Sequence, residues 1–198
     1  MTAKKIVALL IFCFSLSLAQ AQPDKEAAFK KSCTKLLQAV SQKNLILINS
    51  LIQSEYGMYI LFRPGAMDSY QHVEKLDGNY PFILANQTIA KTDLKKFTLK
   101  YGPLPKYNCE RFVWNKKGYL IDSLKHFSPI SEIVAFRIKY DQLMIGKTED
   151  IRIHFMEDNS RKIVFTGSKG NGFIFYMMYM NGQWYLSMID LVTTDCSA

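Results

Sequence analysis

A chain of 198 residues with 25 lysines and arginines against 17 aspartates and glutamates carries a formal net charge of +8 and is 48% hydrophobic. That length suits one domain with a real core. The basic residues fall in scattered pairs such as Lys30-Lys31, Lys95-Lys96 and Lys116-Lys117, not on one aromatic-laced stripe, which argues against nucleic acid as a partner.

The first 21 residues read as an export signal. Lys4 and Lys5 form a positive start, Ile6 to Leu18 an apolar run, and Ala19-Gln20-Ala21 an A-x-A cleavage site. The run is shorter than the ~20 residues a bilayer span needs. Bulky Ile11-Phe12 ahead of Cys13 argues against a lipid anchor. The mature chain is expected to start at Gln22, with no membrane span, as a single α+β domain over 22–198. Losing Lys4 and Lys5 leaves 23 basic side chains against 17 acidic ones, a net charge of +6.

Cys33, Cys109 and Cys196 remain, an odd count that suggests one disulfide and one leftover thiol. Cys33 sits in an apolar helical stripe with Phe29, Leu36, Leu37 and Val40, so it behaves as a small hydrophobe. Cys109 and Cys196 lie in polar, loop-like surroundings and are expected to pair.

Pro23-Asp24 opens the helix that carries this stripe, and a polar break at 41–44 leads to a second helix over Leu45–Gln53. Met58 to Phe62 reads as a buried strand stopped by Pro64-Gly65. Residues 66–110 hold turn signals and one short helix at Thr92 to Phe97. Asn86-Gln87-Thr88 matches a glycosylation sequon. Arg111 to Trp114 and Tyr119 to Ile121, flanking Asn115-Lys116-Lys117-Gly118, look like a small hairpin.

Ser128-Pro129 starts a helix, with Ser as N-cap and Pro in the first turn. Ile130, Ile133, Val134 and Ile138 follow helical spacing, although Val134, Phe136, Ile138 and Tyr140 also alternate as a strand would. The end of the chain reads as a four-stranded antiparallel meander: Ile151 to Met156, Lys162 to Thr166, and two strands joined at Asn181-Gly182. That dipeptide between apolar runs favours a two-residue type I′ turn. It sets Met180 opposite Gln183, Tyr179 opposite Trp184, Met177 opposite Leu186, Phe175 opposite Met188 and Phe173 opposite Asp190. Both faces of the hairpin are mostly apolar, so both need cover, or one lines a pocket. N-terminal helices on a curved antiparallel sheet are the expected fold.

Signals for chemistry are sparse. Gly167-Ser-Lys-Gly170-Asn-Gly172 precedes a strand, so it reads as a hairpin connection and not as a phosphate loop. His72, His126 and His154 have no clustered companions for a metal. No G-x-S-x-G elbow is present. No cofactor is expected. Asp190, placed beside Phe173 and Met188, is the one candidate acid or base, with Tyr176 or Tyr185 as hydrogen-bond donor. Arg63 at a strand end either holds an anionic ligand or pairs with Asp68.

The order of elements, over residues 24–62 and 130–192, resembles the NTF2-like and cystatin-like α+β folds of exported bacterial proteins. The resemblance implies a sheet wrapped around a helix with a conical pocket, in a class that includes isomerases, dehydratases and binding modules. Three functions are therefore in play. The first is an exported, non-catalytic domain that binds a small apolar ligand or a partner protein, with Tyr176, Tyr185 and Arg63 as its contacts. The second is a small-pocket isomerase or hydrolase using Asp190. The third is an envelope-associated interaction protein that adds a strand to a partner sheet.

Overall fold

The stripe Phe29, Cys33, Leu36, Leu37 and Val40 needs a single long helix to bring it onto one face, and helix α1 spans 25–41 with all five side chains buried. The computed structural model describes residues 25–78, 89, 94, 98–122, 125–168 and 171–197, with only the backbone of Tyr119. The export signal, the sequon at Asn86-Gln87-Thr88 and, Leu94 apart, the short helix at Thr92 to Phe97 lie outside the described residues. After α1 the chain turns through Lys43 at φ 52°. Asn44 then caps a short helix α2, Leu45–Asn49, its Oδ1 accepting from the Leu47 N–H at 3.0 Å.

The strands are β1 (Met58–Phe62), β2 (Ser69–Val73), β3 (Leu99–Tyr101), β4 (Tyr107–Asn108), β5 (Val113–Trp114), β6 (Tyr119–Asp122), β7 (Ser160–Thr166), β8 (Gly172–Met180) and β9 (Gln183–Asp190). Seven form one sheet in the order β2-β1-β9-β8-β7-β6-β3, and β4 pairs with β5 alone. The sheet is mixed: β1 runs parallel to β9 and β3 parallel to β6, while the other neighbours are antiparallel. Helices α3 (Pro129–Asp141) and α4 (Lys147–Asp158) enter between β6 and β7. The α+β class therefore holds.

Three expectations give way. Ile151 to Met156 is the body of α4 and not a strand, so β7 follows a helix. In α4 only Ile153, Met156 and Glu157 are buried and Ile151 is exposed, so the alternation of apolar residues there does not mark a sheet face. The second hairpin is also different. Trp114 of β5 pairs with Tyr107, whereas β6 joins the main sheet between β3 and β7. Trp114 packs against the Gly172 backbone, where an added Cβ would run into the indole ring, which explains a glycine at the start of β8. Finally, Ser128 makes no side-chain cap on α3. The buried Glu157 of α4 does that work: its Oε1 accepts from the N–H groups of Ile130 (2.7 Å) and Ser131 (3.1 Å), and its Oε2 accepts from the Ser131 hydroxyl. A carboxylate there also meets the positive end of the helix dipole.

The Asn181-Gly182 turn has both residues at positive φ, 50° and 80°, as a type I′ turn requires. The predicted register holds from the turn to Met177 opposite Leu186. Beyond that point Ser187 is an extra residue: Tyr176 pairs with Met188, Phe175 with Ile189 and Ile174 with Asp190. This one-residue bulge swaps the faces of everything after it. Ile189 joins Phe175, Met177, Trp184 and Leu186 on the face under α1, while Met188 lies on the opposite face with Ile174, Tyr176 and Met178. Without the bulge, Asp190 would be a carboxylate among stacked phenylalanines, which is costly.

Both faces are covered. The core under α1 and α2 collects Met58, Ile60, Ile163, Phe165, Phe173 and Phe175 from the sheet. The opposite core packs Tyr59, Leu61, Val164 and Tyr176 against Ile130, Ile133 and Val134 of α3 and Ile153 and Met156 of α4. Burying two large apolar faces at about 25 cal/mol per Å² is the main stabilising term.

An ion network fastens α1 to the sheet. Arg161 of β7 bonds the buried Asp122 and, at 2.6 Å, Glu26, with its guanidinium 3.9 Å over the Phe29 ring. The Tyr101 hydroxyl donates to Glu26 at 2.6 Å. Burial pushes the Glu26 carboxyl up, but the bonds from Tyr101 and Arg161 outweigh it, so its pKa lies below the ordinary 4.5. A carboxyl depressed by folding contributes stability that is present above its unfolded pKa and lost as pH falls through its folded one. Stability measured by urea unfolding at a series of pH values is thus expected to fall below about pH 4.5, with a shallower fall in Glu26→Gln. An unchanged slope in the variant would show that Glu26 plays no part.

Candidate functional site

Asp190 ends β9, and the backbone continues through Leu191, whose N–H donates to Leu61 O at 2.9 Å. The next residues fold back on the carboxylate: the Thr193 N–H donates to Asp190 Oδ1 at 2.9 Å and the Thr193 hydroxyl to Oδ2 at 2.7 Å. From β7, Lys162 reaches the same Oδ2 at 3.0 Å, with both charged side chains largely buried. Three of the four lone-pair sites a carboxylate offers are therefore taken. Asp190 is a clasp that fixes the end of the sheet. Its surroundings are polar, the reverse of the apolar setting beside Phe173 expected from an unbulged register.

Arg63, one residue past β1, turns the same way. Its Nε donates to Asp68 Oδ1 at 2.6 Å across the Pro64-Gly65 turn, and its Nη1 to the carbonyl of Asp195 at 3.0 Å. The hydrogen bond to Asp68 raises the guanidinium's pKa further. Of the two partners the sequence allowed, the local carboxylate is the one Arg63 takes. The disulfide Cys109–Cys196, with an S–S distance of 2.14 Å, ties this tail to the loop between β4 and β5. Cys33 is free and buried, and burial pushes its thiol far up, so it is unreactive.

Between these elements lies a cleft of about 440 Å³. Leu61, Ile133 and Val192 give it an apolar floor, Phe136 of α3 and Met67 of the β1–β2 turn give it apolar walls, and Arg63, Asp68, Glu132, Lys162, Asp190 and Thr193 supply its polar groups. Its size is that of a small-molecule site, and its lining is divided about evenly between apolar and polar groups. Arg63 and Asp190 are thus brought to one place. The two tyrosines are not.

Tyr176 lies under α3 and α4, 1% exposed, and its hydroxyl has no hydrogen-bond partner among the described residues. Burial first, then the charges of Asp190, Glu157 and Glu132, drive its pKa up. It is a core side chain that stays protonated. Tyr185 is half-buried, and its hydroxyl meets Gln183 at 3.2 Å.

The histidines stay apart. His126 and His154 are exposed beside Ser128 and Asp150. His72 joins a cluster that sequence spacing does not reveal. Its Nε2 meets the Tyr56 carbonyl at 2.7 Å, so that nitrogen carries the proton, and Arg152 Nη1 approaches Nδ1 at 3.3 Å. Glu149 accepts from Arg152 at 3.0 Å and from the Tyr59 hydroxyl at 2.8 Å. These four side chains stitch α4 to β1 and β2, and burial and Glu149 both push the Tyr59 hydroxyl's pKa up.

Among the described residues no group of three His, Cys, Asp or Glu is placed to hold a metal ion, and no helix is long and apolar enough to cross a membrane. No protein-family model, curated protein or solved structure matches the chain.

Proposed function

We propose that the chain is an exported, non-catalytic binding domain that holds a small, largely apolar ligand in the cleft between the β1–β2 turn, α3 and the end of β9. The observation that carries this reading is the cleft itself: about 440 Å³, with Leu61, Ile133, Phe136 and Met67 facing it and both of its cations already paired, Arg63 with Asp68 and Lys162 with Asp190. The three hydrogen bonds from Lys162 and Thr193 that hold the largely buried Asp190 weigh against the isomerase or hydrolase reading, because they stabilise the carboxylate and make it a weaker base. Export is supported by the sequence of residues 1–21 and by the Cys109–Cys196 bond, since disulfides persist in oxidising compartments. Kinship with the NTF2-like and cystatin-like folds belongs to the same proposal. It is supported by the helix α1 packed on one face of the antiparallel run β6-β7-β8-β9.

Native mass spectrometry of the protein purified from its export compartment tests both parts. A chain beginning at Gln22 that carries a small molecule of defined mass is the expected result. Ala66→Trp, which fills the cleft from the exposed turn, is expected to lose that molecule with an unchanged melting temperature. The same adduct in both proteins, or none in either, would overturn the cleft reading. A chain retaining Met1 would overturn export.

A further inference from the structure

Charge in the cleft is distributed unevenly. The chain as a whole is strongly basic, with a net charge of +8, yet the cleft's ionisable groups are two cations, Arg63 and Lys162, and three carboxylates, Asp68, Asp190 and Glu132. Both cations are spoken for, Arg63 by Asp68 at 2.6 Å and Lys162 by Asp190 at 3.0 Å. Glu132 is left over. It sits in the first turn of α3, exposed, and makes no ion pair or side-chain hydrogen bond with any described residue.

Four residues on, and so on the same helix face, comes Phe136, 48% exposed at the cleft wall. A further four residues on is Tyr140, whose ring lies 4.6 Å from that of Phe136. One helix stripe thus offers a carboxylate, then an aromatic ring, then a second ring tilted against the first. Aromatic faces attract cations, quaternary ammonium groups most characteristically, and this stripe already draws one: the Lys139 ammonium stands 4.8 Å over Tyr140.

We infer that the ligand of this cleft is a cationic amphiphile, an organic ammonium with a short apolar body. Its head lies between the Glu132 carboxylate and the Phe136 ring, and its body lies on Leu61 and Ile133. An anionic ligand is disfavoured because each cation's charge is already balanced by a carboxylate, Lys162 by Asp190 in a largely buried pair, while the Glu132 charge has no counter-ion among the described residues. This inference rests on the cleft being the binding site.

Hexyltrimethylammonium, hexan-1-ol and hexanoate, titrated calorimetrically into the mature protein, separate the two levels. All share one chain length and differ in head charge. The ammonium is expected to bind at least tenfold more tightly than the alcohol, with hexanoate weakest. Glu132→Gln, at an exposed position, is expected to bring the ammonium down to the alcohol's affinity and leave the alcohol unchanged. Equal binding of ammonium and alcohol, or tightest binding by hexanoate, overturns the charge selection. If that binding is also abolished by Ala66→Trp, the cleft stands as the site. Binding of the ammonium that survives Ala66→Trp, or no binding by any of the three, overturns the cleft and the inference together.

Discussion

Trp184→Ala is expected to cost about 3–5 kcal/mol of unfolding free energy, as truncation of a buried aromatic does, out of a total on the order of 5–15 kcal/mol. The indole is 5% exposed and joins three elements. Its ring lies 4.5 Å from Phe29 of α1 and 4.9 Å from Tyr179 of β8, and its Nε1–H donates to the carbonyl of Lys25 at 3.1 Å. The variant leaves a cavity where α1 meets the hairpin, together with an unfilled carbonyl at the first turn of α1. Tyr185→Ala, from the half-buried position next in sequence, is expected to cost roughly 1 kcal/mol or less, within the range of ordinary point changes. Urea unfolding followed by circular dichroism distinguishes them. A Trp184→Ala protein as stable as Tyr185→Ala would mean that α1 does not depend on this ring.

The second large effect is expected from the disulfide. Cys109 and Cys196 are separated by 87 residues, and in the chain-entropy account closing a loop of that size restricts the unfolded state by roughly 4–5 kcal/mol. The Cys109→Ser, Cys196→Ser double variant should lose most of that. Its refolded sheet should still form, because every strand pair of β6 to β9 is made without the bond. Cys33 should react with an alkylating reagent only after denaturation, while the other two stay linked without reductant. A double variant within 1 kcal/mol of the parent, in the same urea assay, would show that the bond adds nothing beyond contacts already made by the tail.

How far the sequence foretells this molecule depends on the range of the forces involved. Helix α1 was legible because five apolar residues at helical spacing have only one way to share a face. The β8–β9 turn was legible because Asn181-Gly182 dictates its own backbone. The free Cys33 and the Cys109–Cys196 pair followed from local polarity. The α4 segment misled because Ile151, Ile153 and Phe155 alternate, while the acidic first turn of Glu149 and Asp150 is the helical signal that should have prevailed.

The bulge at Ser187 left no local trace. It is favoured by contacts across the sheet, where the Ser187 hydroxyl meets that of Ser160 at 2.7 Å, and by the cost of burying Asp190 on the wrong face. The cleft was half visible: Arg63 and Asp190 stood out as charges at strand ends. Glu132, Phe136 and Lys162 did not, because only the parallel pairing of β1 with β9 and the placing of α3 across the sheet bring them together.

That parallel pairing has a consequence for the order of events in the life of the chain. Strand β9 comes last in order among the described strands and stands between β1 and β8, so the β1–β2 hairpin reaches the rest of the sheet only through it. Until the residues from Gln183 to Asp190 have emerged, the first strands have no neighbour on their inner edge and the later ones have none on theirs. Contacts this distant in sequence also form slowly, because the intervening chain must be ordered before they can reward it. A chain that lacks β9 therefore holds two fragments of a sheet with open edges, a form that invites pairing with other chains.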